Sequence, residues 1–565
     1  MLGGKENGHW VTHTVKDIVE KTTILSRGLI LKGIQKGDRI AIMSGNRPEW
    51  TICDFGCNQI GAAIVPLYPT LSDQDLAHIL LDSEVKLVFV SNGLLYSRVK
   101  QALLSCAMER EVFVFDKVPG LPNVTELLDL GQQEYIDLHP YQSAIHQDDL
   151  LTLIYTSGTT GKPKGVCLSH RNVLTNVSDC SKLLPSDFKK ALSFLPLCHI
   201  FERMVVYLYL NKKIEIFFAE SHENIVADMN DVKPDGFTTV PRVLEKVYDR
   251  IVAKGKEQTG IKKLLFFWAL ELGLRYQEPS KNSIWYRVQL TIARKLIFSK
   301  WKKALGGEVK LIISGGAALQ VRLARTFWAA GIRVIEGYGL TETSPVIAVN
   351  EPNAQGIRFG TVGRVLSSVH VKIAADNEIL CKGPSVFTSY YHHPEATSEA
   401  IDEDGYFRTG DIGELSYDGF LTITDRKKEM FKTAGGKYIS PQILENKMME
   451  STFIAQIMVV GENQRFPAAL IVPAMEVLEQ WCVHKNIPID NRATLLQHPE
   501  VLDKFNREID RLNETFGQWE RIKKFCLIPH EWTIQKGELT PKLSLRRKII
   551  QANHQQEIRS FYPNN

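Results

Sequence analysis

The hydrophobic pattern alternates between short, nearly continuous apolar runs and segments with helical periodicity. The runs typical of buried strands are 38–44, 85–91, 111–116, 150–156, 214–218 and 309–314. A helical pattern over residues 48–61 follows the first run, and helical patterns separate several of the others. Apolar strands joined through helices predict a mostly parallel sheet within a layered α/β architecture.

The pattern changes twice toward the C-terminal end. Residues 356–383 contain short strand-like stretches with turns, which predict a smaller β subdomain. The charged stretch DRKKEMFK begins at Asp425 and precedes a tail that mixes strand and helix patterns. The predicted fold class is therefore α/β: a large N-terminal region of layered sheets and helices with a β subdomain, plus a smaller α+β C-terminal domain.

Composition narrows the class of protein. The length of 565 residues is several times a typical domain of about 150 residues, so at least two domains are expected. Lys and Arg exceed Asp and Glu by 68 − 64 = 4, too small an excess for a dedicated nucleic-acid binder. Nine cysteines without a C-x-x-C pair indicate reduced thiols in a cytoplasmic protein. With no apolar run of about 18 residues and no signal segment, the protein is expected to be soluble or peripheral on a membrane surface.

The strongest local signal is YTSGTTGKPKG at residues 155–165, directly after an apolar strand. Glycines allow close backbone approach, hydroxyls and amides donate hydrogen bonds, and lysines neutralise charge, so this loop suits a phosphate. It is not a Walker loop, whose glycine spacing differs. The alternative is a flexible surface turn. The candidate phosphate ligands are Thr156, Ser157, Gly158, Thr159, Thr160, Gly161, Lys162 and Lys164.

This loop closely resembles the phosphate loop of the adenylate-forming acyl/aryl-CoA synthetase superfamily. That family carries further motifs in a fixed order, and each has a counterpart in this chain. The counterparts are LPLCHIFER (195–203), SGGAAL (314–319), EGYGLTETSP (336–345), GYFRTGDIGEL (405–415) and DRKKEMFKTAGGKYISP (425–441). The resemblance extends over residues 37–550, nearly the whole chain.

The resemblance implies roles for residues in the N-terminal region. His199 would lie beside the acyl pocket, and Tyr338 would stack near adenine. Thr341 would contact the α-phosphate, and Glu342 would help to hold Mg²⁺. The nucleotide site would also include Gly315 and Gly339, and the metal site Thr156.

The resemblance also implies roles in the C-terminal motifs. Asp411 and Arg426 would contact the ribose hydroxyls of the nucleotide. Lys428 matches the hinge about which the small domain turns in relatives. Gly435 and Gly436 match the glycine-rich stretch that borders the pantetheine tunnel.

The implied organisation is an adenylation domain that binds ATP and fatty acid (residues 1–424) and a mobile C-terminal domain (residues 425–565). The expected cofactors are ATP, Mg²⁺ and CoA. Attack of a carboxylate on the α-phosphorus brings two anions together, which requires cations and oriented donors rather than a covalent nucleophile. A thiol then attacks the acyl-adenylate and releases AMP.

One departure concerns the adenylation lysine. The segment GELTPKLSLRRKII (537–550) resembles long-chain synthetase sequences reading L-T-P-T-L-K-L-R-R-K, in which the lysine falls at the position of Ser544. Lys542 stands two residues earlier, on the same side of an extended strand at about 6–7 Å, so we expect it to substitute. Alternatively, Lys542 is an exposed basic residue and adenylation is weakened. Arg546 is a third candidate.

Two amphipathic helix candidates precede the run at 309–314, in a place where long-chain fatty acyl-CoA synthetases have similar segments. One face would carry Ile261, Leu264, Leu265, Trp268 and Leu272, and the other Trp285, Val288, Ile292 and Leu296. Residues 281–303 contain seven Lys and Arg and no acidic residue. A basic amphipathic helix with Trp at its margin predicts contact with an anionic membrane. Ordinary packing with a solvated basic face is the alternative.

The combined prediction is an AMP-forming long-chain fatty acid–CoA ligase. One alternative is a ligase that passes its acyl-adenylate to a carrier-protein phosphopantetheine. A second is a non-catalytic lipid-binding relative, which only Ser544 supports. The expected partners are a fatty acid, ATP, CoA, an anionic membrane surface and a second copy in a homodimer, with no nucleic acid.

Overall fold

The computed structural model describes residues 1–156, 162–221, 223–489, 491–533, 535–540 and 545–563, and these form two compact units. The first unit comprises Met1–Lys372, Leu380–Thr409 and Ser416–Leu421. The second comprises Ile373–Ile379, Gly410–Leu415 and Thr422–Asn565. The domain boundary between residues 424 and 425 stays a prediction.

Among the described residues, fifteen strands occur before the segment in which residues of the two units alternate. They are β1 (Leu2–Glu6), β2 (His9–His13), β3 (Arg39–Met43), β4 (Ala63–Leu67), β5 (Leu87–Val90), β6 (Glu111–Val114), β7 (Leu150–Thr156), β8 (Lys164–Ser169), β9 (Lys190–Ser193), β10 (Glu215–Phe218), β11 (Gly236–Thr239), β12 (Leu311–Ser314), β13 (Arg333–Gly339), β14 (Val346–Val349) and β15 (Arg364–Val365). The alternating segment holds β16 (His370–Ile373), β17 (Glu378–Lys382), β18 (Ser389–Tyr390), β19 (Phe407–Leu415) and β20 (Leu421–Arg426).

Two large mixed sheets form the framework of the first unit. One has the order β15-β14-β13-β12-β11-β9-β10-β1-β2, and the other β18-β8-β7-β4-β3-β5-β6. Within the second sheet β3 pairs in parallel with β4 and β5, so that Ile42 lies opposite Pro66 and Phe89. The six apolar runs all contain strands, which confirms the predicted α/β class with a mostly parallel sheet core.

Helices of the first unit connect these strands. They are α1 (Val15–Leu31), α2 (Pro48–Asn58), α3 (Asp73–Asp82), α4 (Gly93–Ser105), α5 (Val124–Gln133), α6 (His139–Ser143), α7 (His170–Ser181), α8 (Ile200–Asn211), α9 (Ile225–Val232), α10 (Pro241–Lys256), α11 (Gly260–Leu274), α12 (Ile284–Ala293), α13 (Ser299–Ala304), α14 (Val321–Ala329) and α15 (Pro394–Ala400). Helix α2 ends earlier than the predicted 48–61, because Gly61 adopts a left-handed conformation (φ 76°) in the turn into β4.

The second unit is built on a small sheet covered on both faces. Its strands are β21 (Phe431–Lys432), β22 (Tyr438–Ile439), β23 (Ile454–Val460), β24 (Ala468–Pro473) and β25 (Lys524–Leu527), and its helices are α16 (Pro441–Met448), α17 (Met475–Lys485), α18 (Arg492–Leu495), α19 (Pro499–Asn513), α20 (Arg547–Asn553) and α21 (Gln555–Ser560). Strands β23, β24 and β25 form a three-stranded sheet. Ile471 and Phe505 belong to one buried cluster, and Leu470 and Trp532 to another, so alternating residues of β24 face opposite cores.

The nine cysteines are all free thiols, and seven of them are buried. Cys106 and Cys526 are partly exposed. Burial raises the pKa of the Cys180 thiol to about 12. Among the helices in the described ranges, none is long and apolar enough to cross a membrane.

Candidate active site

The flanks of the predicted phosphate loop form an antiparallel hairpin. Strand β7 pairs with β8, and Thr156 lies directly opposite Lys164. Lys162 is exposed and Lys164 is half-buried. The predicted ligands Ser157, Gly158, Thr159, Thr160 and Gly161 lie outside the described residues.

Helix α3 fixes both flanks of this loop. The Tyr155 hydroxyl donates to Asp82 Oδ2 at 2.5 Å, and His78 Nε2 donates to the Pro163 carbonyl at 3.0 Å. Burial, together with the Asp82 carboxylate, raises the pKa of Tyr155 far above its usual value, so the hydroxyl remains a donor. Two anchors on one helix hold the ends of the loop in place.

Strand β13 leads into the next motif. Tyr338 and Gly339 are its last residues, and Thr341 and Glu342 follow in a 3₁₀ turn (Thr341–Thr343). A Cβ atom on Gly339 would lie 1.7 Å from the Pro345 carbonyl oxygen, so only glycine fits there. The tight return of the chain brings the buried Thr341 and the half-buried Glu342 to the end of the strand.

Glu342 and Lys164 share a neighbour, Tyr390 on β18. The Tyr390 hydroxyl donates to Glu342 Oε1 at 2.9 Å, and the Phe387 amide donates to the Glu342 carbonyl at 2.7 Å. Lys164 Nζ lies 5.7 Å from the Tyr390 ring centroid, within cation–π range. Strand β18 pairs with β8, so one short strand positions the carboxylate and contacts the lysine. Burial and the neighbouring Glu342 raise the pKa of Tyr390 well above its usual value.

The carboxylate of Glu342 fits a magnesium ligand. An ionised carboxylate has about four acceptor positions, and the hydrogen bond from Tyr390 uses one of them. Mg²⁺ prefers oxygen ligands and usually combines one or two carboxylates with phosphates. Within the described residues, no group of three or more His, Cys, Asp and Glu side chains could hold a metal alone. Bound Mg²⁺ would therefore need nucleotide phosphates besides Glu342.

The predicted acyl-side residue His199 caps helix α8. Its Nδ1 accepts the Phe201 amide at 3.1 Å, which places the proton of the neutral ring on Nε2. The Phe201 ring lies 3.1 Å from the position of a Cβ on Gly315. The start of α8 and the glycine after β12 are therefore in contact, and a larger residue at 315 would displace the ring.

A buried ion pair lies one turn after His199. Arg203 donates through Nε to Asp54 Oδ2 at 2.9 Å and through a second nitrogen to Asp54 Oδ1. It also donates to Thr152 Oγ1 at 2.6 Å, and the Tyr207 hydroxyl donates to Asp54. Burial opposes the charge, but Asp54 raises the pKa of Arg203 above its usual value. The network joins α8 to α2 and β7.

Glu202, next to this ion pair, is fully buried. Its carboxylate accepts hydrogen bonds from two hydroxyl groups. The donors are the Ser193 hydroxyl at 2.6 Å and the Thr238 hydroxyl. Burial raises the pKa of Glu202 to about 7, although both donors act in the opposite direction.

The predicted ribose-contacting pair lies in the second unit. Arg426 Nε donates to Asp411 Oδ1 at 2.8 Å, and Asp411 is buried. The structure therefore brings the two predicted residues together. The next residue, Lys427, lies 2.6 Å from Asp376 and 2.7 Å from Glu378. The predicted hinge residue Lys428 is exposed.

The glycine-rich stretch forms the turn between β21 and β22. Gly435 and Gly436 are exposed there, and Gly436 has a φ of 76°, in the left-handed region. Lys542 and Ser544 lie outside the described residues. They are flanked by an antiparallel bridge between Leu539 and Leu545.

Arg547 ties the helix after this bridge to the rest of the second unit. It donates to Glu445 at 2.6 Å and to Glu429 at 3.2 Å. Burial alone would lower the pKa of Arg547, but the two carboxylates raise it above its usual value. Glu429 directly follows the predicted hinge residue Lys428.

Sequence reasoning missed several residues that support the site: His78, Asp82, Tyr390 and Arg547. His78, Asp82 and Tyr390 lie outside the motifs that resemble the family, whereas Arg547 lies within the segment 537–550. Asp82 and Tyr390 contact motif residues far away in the chain, so only the tertiary structure shows the contacts.

Two family models cover most of the chain. The AMP-binding enzyme model matches residues 4–391, and the AMP-binding enzyme C-terminal domain model matches residues 429–565. The chain belongs to the AMP-binding enzyme family. Similar members of this family include the long-chain-fatty-acid–CoA ligase FadD15 of Mycobacterium bovis (strain ATCC BAA-935 / AF2122/97), 33% identical over 98% of this chain and 93% of that protein. The human long-chain-fatty-acid–CoA ligase 1 is 31% identical over 98% of this chain and 82% of that protein.

Solved structures share the fold of this AMP-binding enzyme. The adenylation domain of a carboxylate reductase from Mycobacterium chelonae aligns with a TM-score of 0.79 and 19% identity, over 100% of this chain and 88% of that one. The o-succinylbenzoate CoA synthetase of Bacillus subtilis, solved with ATP and a magnesium ion, aligns with a TM-score of 0.68 and 20% identity. That alignment covers 97% of this chain and 95% of the synthetase. At these identities the alignments show the adenylate-forming fold.

Proposed function

We propose that this chain is an AMP-forming long-chain fatty acid–CoA ligase. The observation that carries the proposal is the similarity to long-chain-fatty-acid–CoA ligases over 98% of the chain. The enzyme would convert a fatty acid, ATP and CoA into acyl-CoA, AMP and pyrophosphate, with Mg²⁺ as the metal cofactor. The homodimeric state and the cytoplasmic location stay predictions from the sequence.

Residues of the first unit suit the activation of a carboxylate. Lys164 supplies positive charge beside the phosphate loop, and the buried Thr341 supplies a hydroxyl at the end of β13. Such oriented groups stabilise the charge that develops on a phosphoryl group. Glu342 would hold Mg²⁺, which neutralises phosphate charge when bound. The Tyr390 hydrogen bond fixes the orientation of that carboxylate.

Residues of the second unit suit ribose binding and movement between two half-reactions. Asp411 is a buried carboxylate beside Arg426, and ribose hydroxyls would donate to its oxygen atoms. We propose residues 425–565 as the mobile domain, with the hinge at the exposed Lys428. Closing and opening of such domains sets turnover in many enzymes.

The test measures release of AMP and pyrophosphate from ATP and Mg²⁺ with palmitate, in the presence and absence of CoA. CoA-dependent turnover is the expected result. Pyrophosphate release without CoA-dependent turnover would indicate a different acceptor, such as a carrier-protein phosphopantetheine. No release with fatty acids from acetate to oleate would contradict the proposal and favour a non-catalytic lipid-binding relative.

Lys542 is proposed as the adenylation lysine. Lys542→Ala should lower the pyrophosphate-forming half-reaction by about 10²–10³-fold, the usual loss when one transition-state donor is removed. Thioester formation from supplied acyl-adenylate should stay near the wild-type rate. Lys548→Ala, an exposed lysine in α20, is the matched control. A Lys542→Ala enzyme with unchanged adenylation would exclude this residue and leave Arg546 as the next candidate.

A further inference from the structure

The loop that follows β12 is held at both of its ends. We call residues 315–319 the β12 loop, and its first residue, Gly315, is a predicted contact of the nucleotide. The Gly315 amide donates to the Thr239 carbonyl at the end of β11, at 3.1 Å. At the other end, the Leu319 amide donates to Glu336 Oε1 on β13, at 2.9 Å. A backbone carbonyl therefore holds the first end, whereas a side chain holds the second.

Strand β13 carries Glu336 close to a predicted nucleotide residue. Glu336 lies opposite Ser314, the last residue of β12, and two residues before Tyr338. Side chains two positions apart in a strand point to the same face, so Glu336 and Tyr338 share one face of β13. The resemblance to the family places Tyr338 near adenine. One side chain thus joins the strand that carries Tyr338 to the loop that carries Gly315.

The carboxyl group of Glu336 is removed from water, and this burial raises its pKa to about 8. The hydrogen bond from the Leu319 amide acts in the opposite direction but does not offset the burial. At neutral pH the group is therefore largely protonated and uncharged. A neutral carboxyl group accepts the amide through its carbonyl oxygen, and the side-chain amide of a glutamine would do the same.

We propose that Glu336 is a positioning residue that shapes the adenine side of the nucleotide site. Its hydrogen bond would hold the β12 loop against β13, so that the two walls expected to enclose adenine keep a fixed spacing. The proposal rests on the proposed function, because it needs a nucleotide bound between Gly315 and Tyr338. Glu336 itself is assigned no contact with the reacting atoms.

A purely structural role is the alternative. A buried amide that loses its acceptor costs free energy anywhere in a fold, so the loss of Glu336 would then disturb the first unit as a whole. The phosphate loop distinguishes the two roles, because Asp82 and His78 hold its flanks without Glu336. A positioning role predicts an effect only on ligands that contain adenine.

The first experiment measures binding of ATP, AMP and pyrophosphate with Mg²⁺ by isothermal titration calorimetry, in the absence of fatty acid and CoA. Glu336→Met removes the acceptor and keeps a similar side-chain length. It should weaken the binding of ATP and AMP by about tenfold, the effect of leaving one buried amide without its acceptor. Pyrophosphate contains no adenine and should bind as it does to the wild type.

Two conservative variants test the hydrogen bond itself. Glu336→Gln keeps both the reach and an acceptor oxygen, so it should bind all three ligands like the wild type. Glu336→Asp keeps the carboxyl group but is one methylene shorter, so it should behave like Glu336→Met. Glu308→Met alters an exposed glutamate just before β12 and is the matched control, with wild-type binding expected.

Hydrogen–deuterium exchange followed by mass spectrometry tests the contact without any ligand. A peptide that covers the β12 loop should exchange faster in Glu336→Met than in the wild type and in Glu336→Gln, because the Leu319 amide loses its acceptor. Circular dichroism checks that each variant folds. If Glu336→Met does not fold, the comparison of Glu336→Asp with Glu336→Gln answers the same question.

Three results would overturn the inference. These are wild-type ATP binding by both Glu336→Met and Glu336→Asp, equal weakening of ATP and pyrophosphate binding, and weak ATP binding by Glu336→Gln. The second result would indicate a structural role. A wild-type enzyme that binds ATP but forms no acyl-CoA would contradict only the proposed function. A wild-type enzyme that binds no nucleotide would contradict both.

Discussion

Two arginine-centred networks, one in each unit, support different parts of the candidate site in different ways. Arg203, 1% exposed, lies one turn after His199 and pairs with the equally buried Asp54. Arg547 is 16% exposed and bridges Glu445 and Glu429. The first network joins two helices and a central strand, whereas the second joins the helix that begins at Arg547 to Glu429, directly after the predicted hinge residue Lys428.

The difference in burial has a consequence for movement. A buried ion pair cannot exchange its partners for water without a large desolvation cost, so the helix that begins at His199 is held in one position. A partly exposed arginine with two carboxylates can lose one contact and keep the other. We expect the acyl side of the site to be rigid. We also expect the helix that begins at Arg547 to move together with the turn after Lys428.

The largest effect is expected from breaking the buried pair. Arg203→Met should lower the free energy of unfolding by about 3–5 kcal/mol, because the buried Asp54 would lose its cationic partner. Chemical denaturation followed by circular dichroism measures this. Adding Asp54→Leu to Arg203→Met should restore most of the loss. A single variant that loses less than about 1 kcal/mol would show that the network is not a rigid support.

Glu202, next to Arg203, has no cationic partner among the described residues. Its buried carboxyl group should therefore make the stability of the first unit depend on pH. Its pKa is about 7 when folded and near 4.5 when unfolded, so the folded state keeps a proton that the unfolded state releases. This contribution to stability is fully present below about pH 4.5 and is lost as pH rises through about 7. Glu202→Gln should remove that loss, which amounts to about 2 kcal/mol between about pH 5.5 and about pH 8.

Urea denaturation of the wild type and Glu202→Gln at both pH values gives the difference. Glu403→Gln, an exposed carboxylate, serves as the control and should show no pH-dependent difference. Parallel pH profiles for the wild type and Glu202→Gln would mean that Glu202 titrates normally.

Breaking the partly exposed network should cost less. Arg547→Met is expected to lower the stability of the second unit by about 1–2 kcal/mol, because Glu445 loses a charged donor but water can reach the site. Differential scanning calorimetry measures the change in stability. Arg507→Met removes an arginine from the exposed pair with Asp503 and should change stability by no more than about 0.5 kcal/mol. Equal losses for Arg547→Met and Arg203→Met would remove the distinction between the two networks.

The smallest effect concerns Tyr390, which is half-buried and uncharged. If the proposed function holds, Tyr390→Phe should weaken ATP binding in the presence of Mg²⁺ by about fivefold, equivalent to about 1 kcal/mol for one hydrogen bond. Calorimetric titration without Mg²⁺ should show no such difference. Tyr391→Phe, which alters a neighbouring hydroxyl near Glu84, is the control. A loss that is independent of Mg²⁺ would contradict a positioning role for Tyr390.

The strands in the six apolar runs were predictable because an apolar run and a strand occupy the same residues. The run at 150–156 coincides with β7, and the stretch after it carries the hydroxyls and lysines that suit a phosphate. The local backbone also explains two glycines. Gly339 has no room for a Cβ atom, and Gly436 has a positive φ. These features depend on neighbours in the chain.

The contacts that depend on the tertiary fold were not predictable from the pattern. Asp82 is 73 residues from Tyr155, and Tyr390 is 48 residues from Glu342. The predicted apolar face of the first amphipathic helix, α11, is only partly packed. Leu272 is buried and Leu265 and Trp268 are half-buried, but Ile261 and Leu264 are more than 70% exposed. Periodicity identifies a shared face without specifying which part of it has a partner.

The burial of the cysteines makes this protein a favourable object for fluorescence spectroscopy. Seven thiols are inaccessible and two are only partly exposed, so maleimide dyes would react slowly with the native chain. Cysteines introduced at the fully exposed Tyr417 in the first unit and at the exposed Lys485 in the second would accept a donor and an acceptor dye. Energy transfer between them would then test whether the second unit rotates during turnover, one molecule at a time.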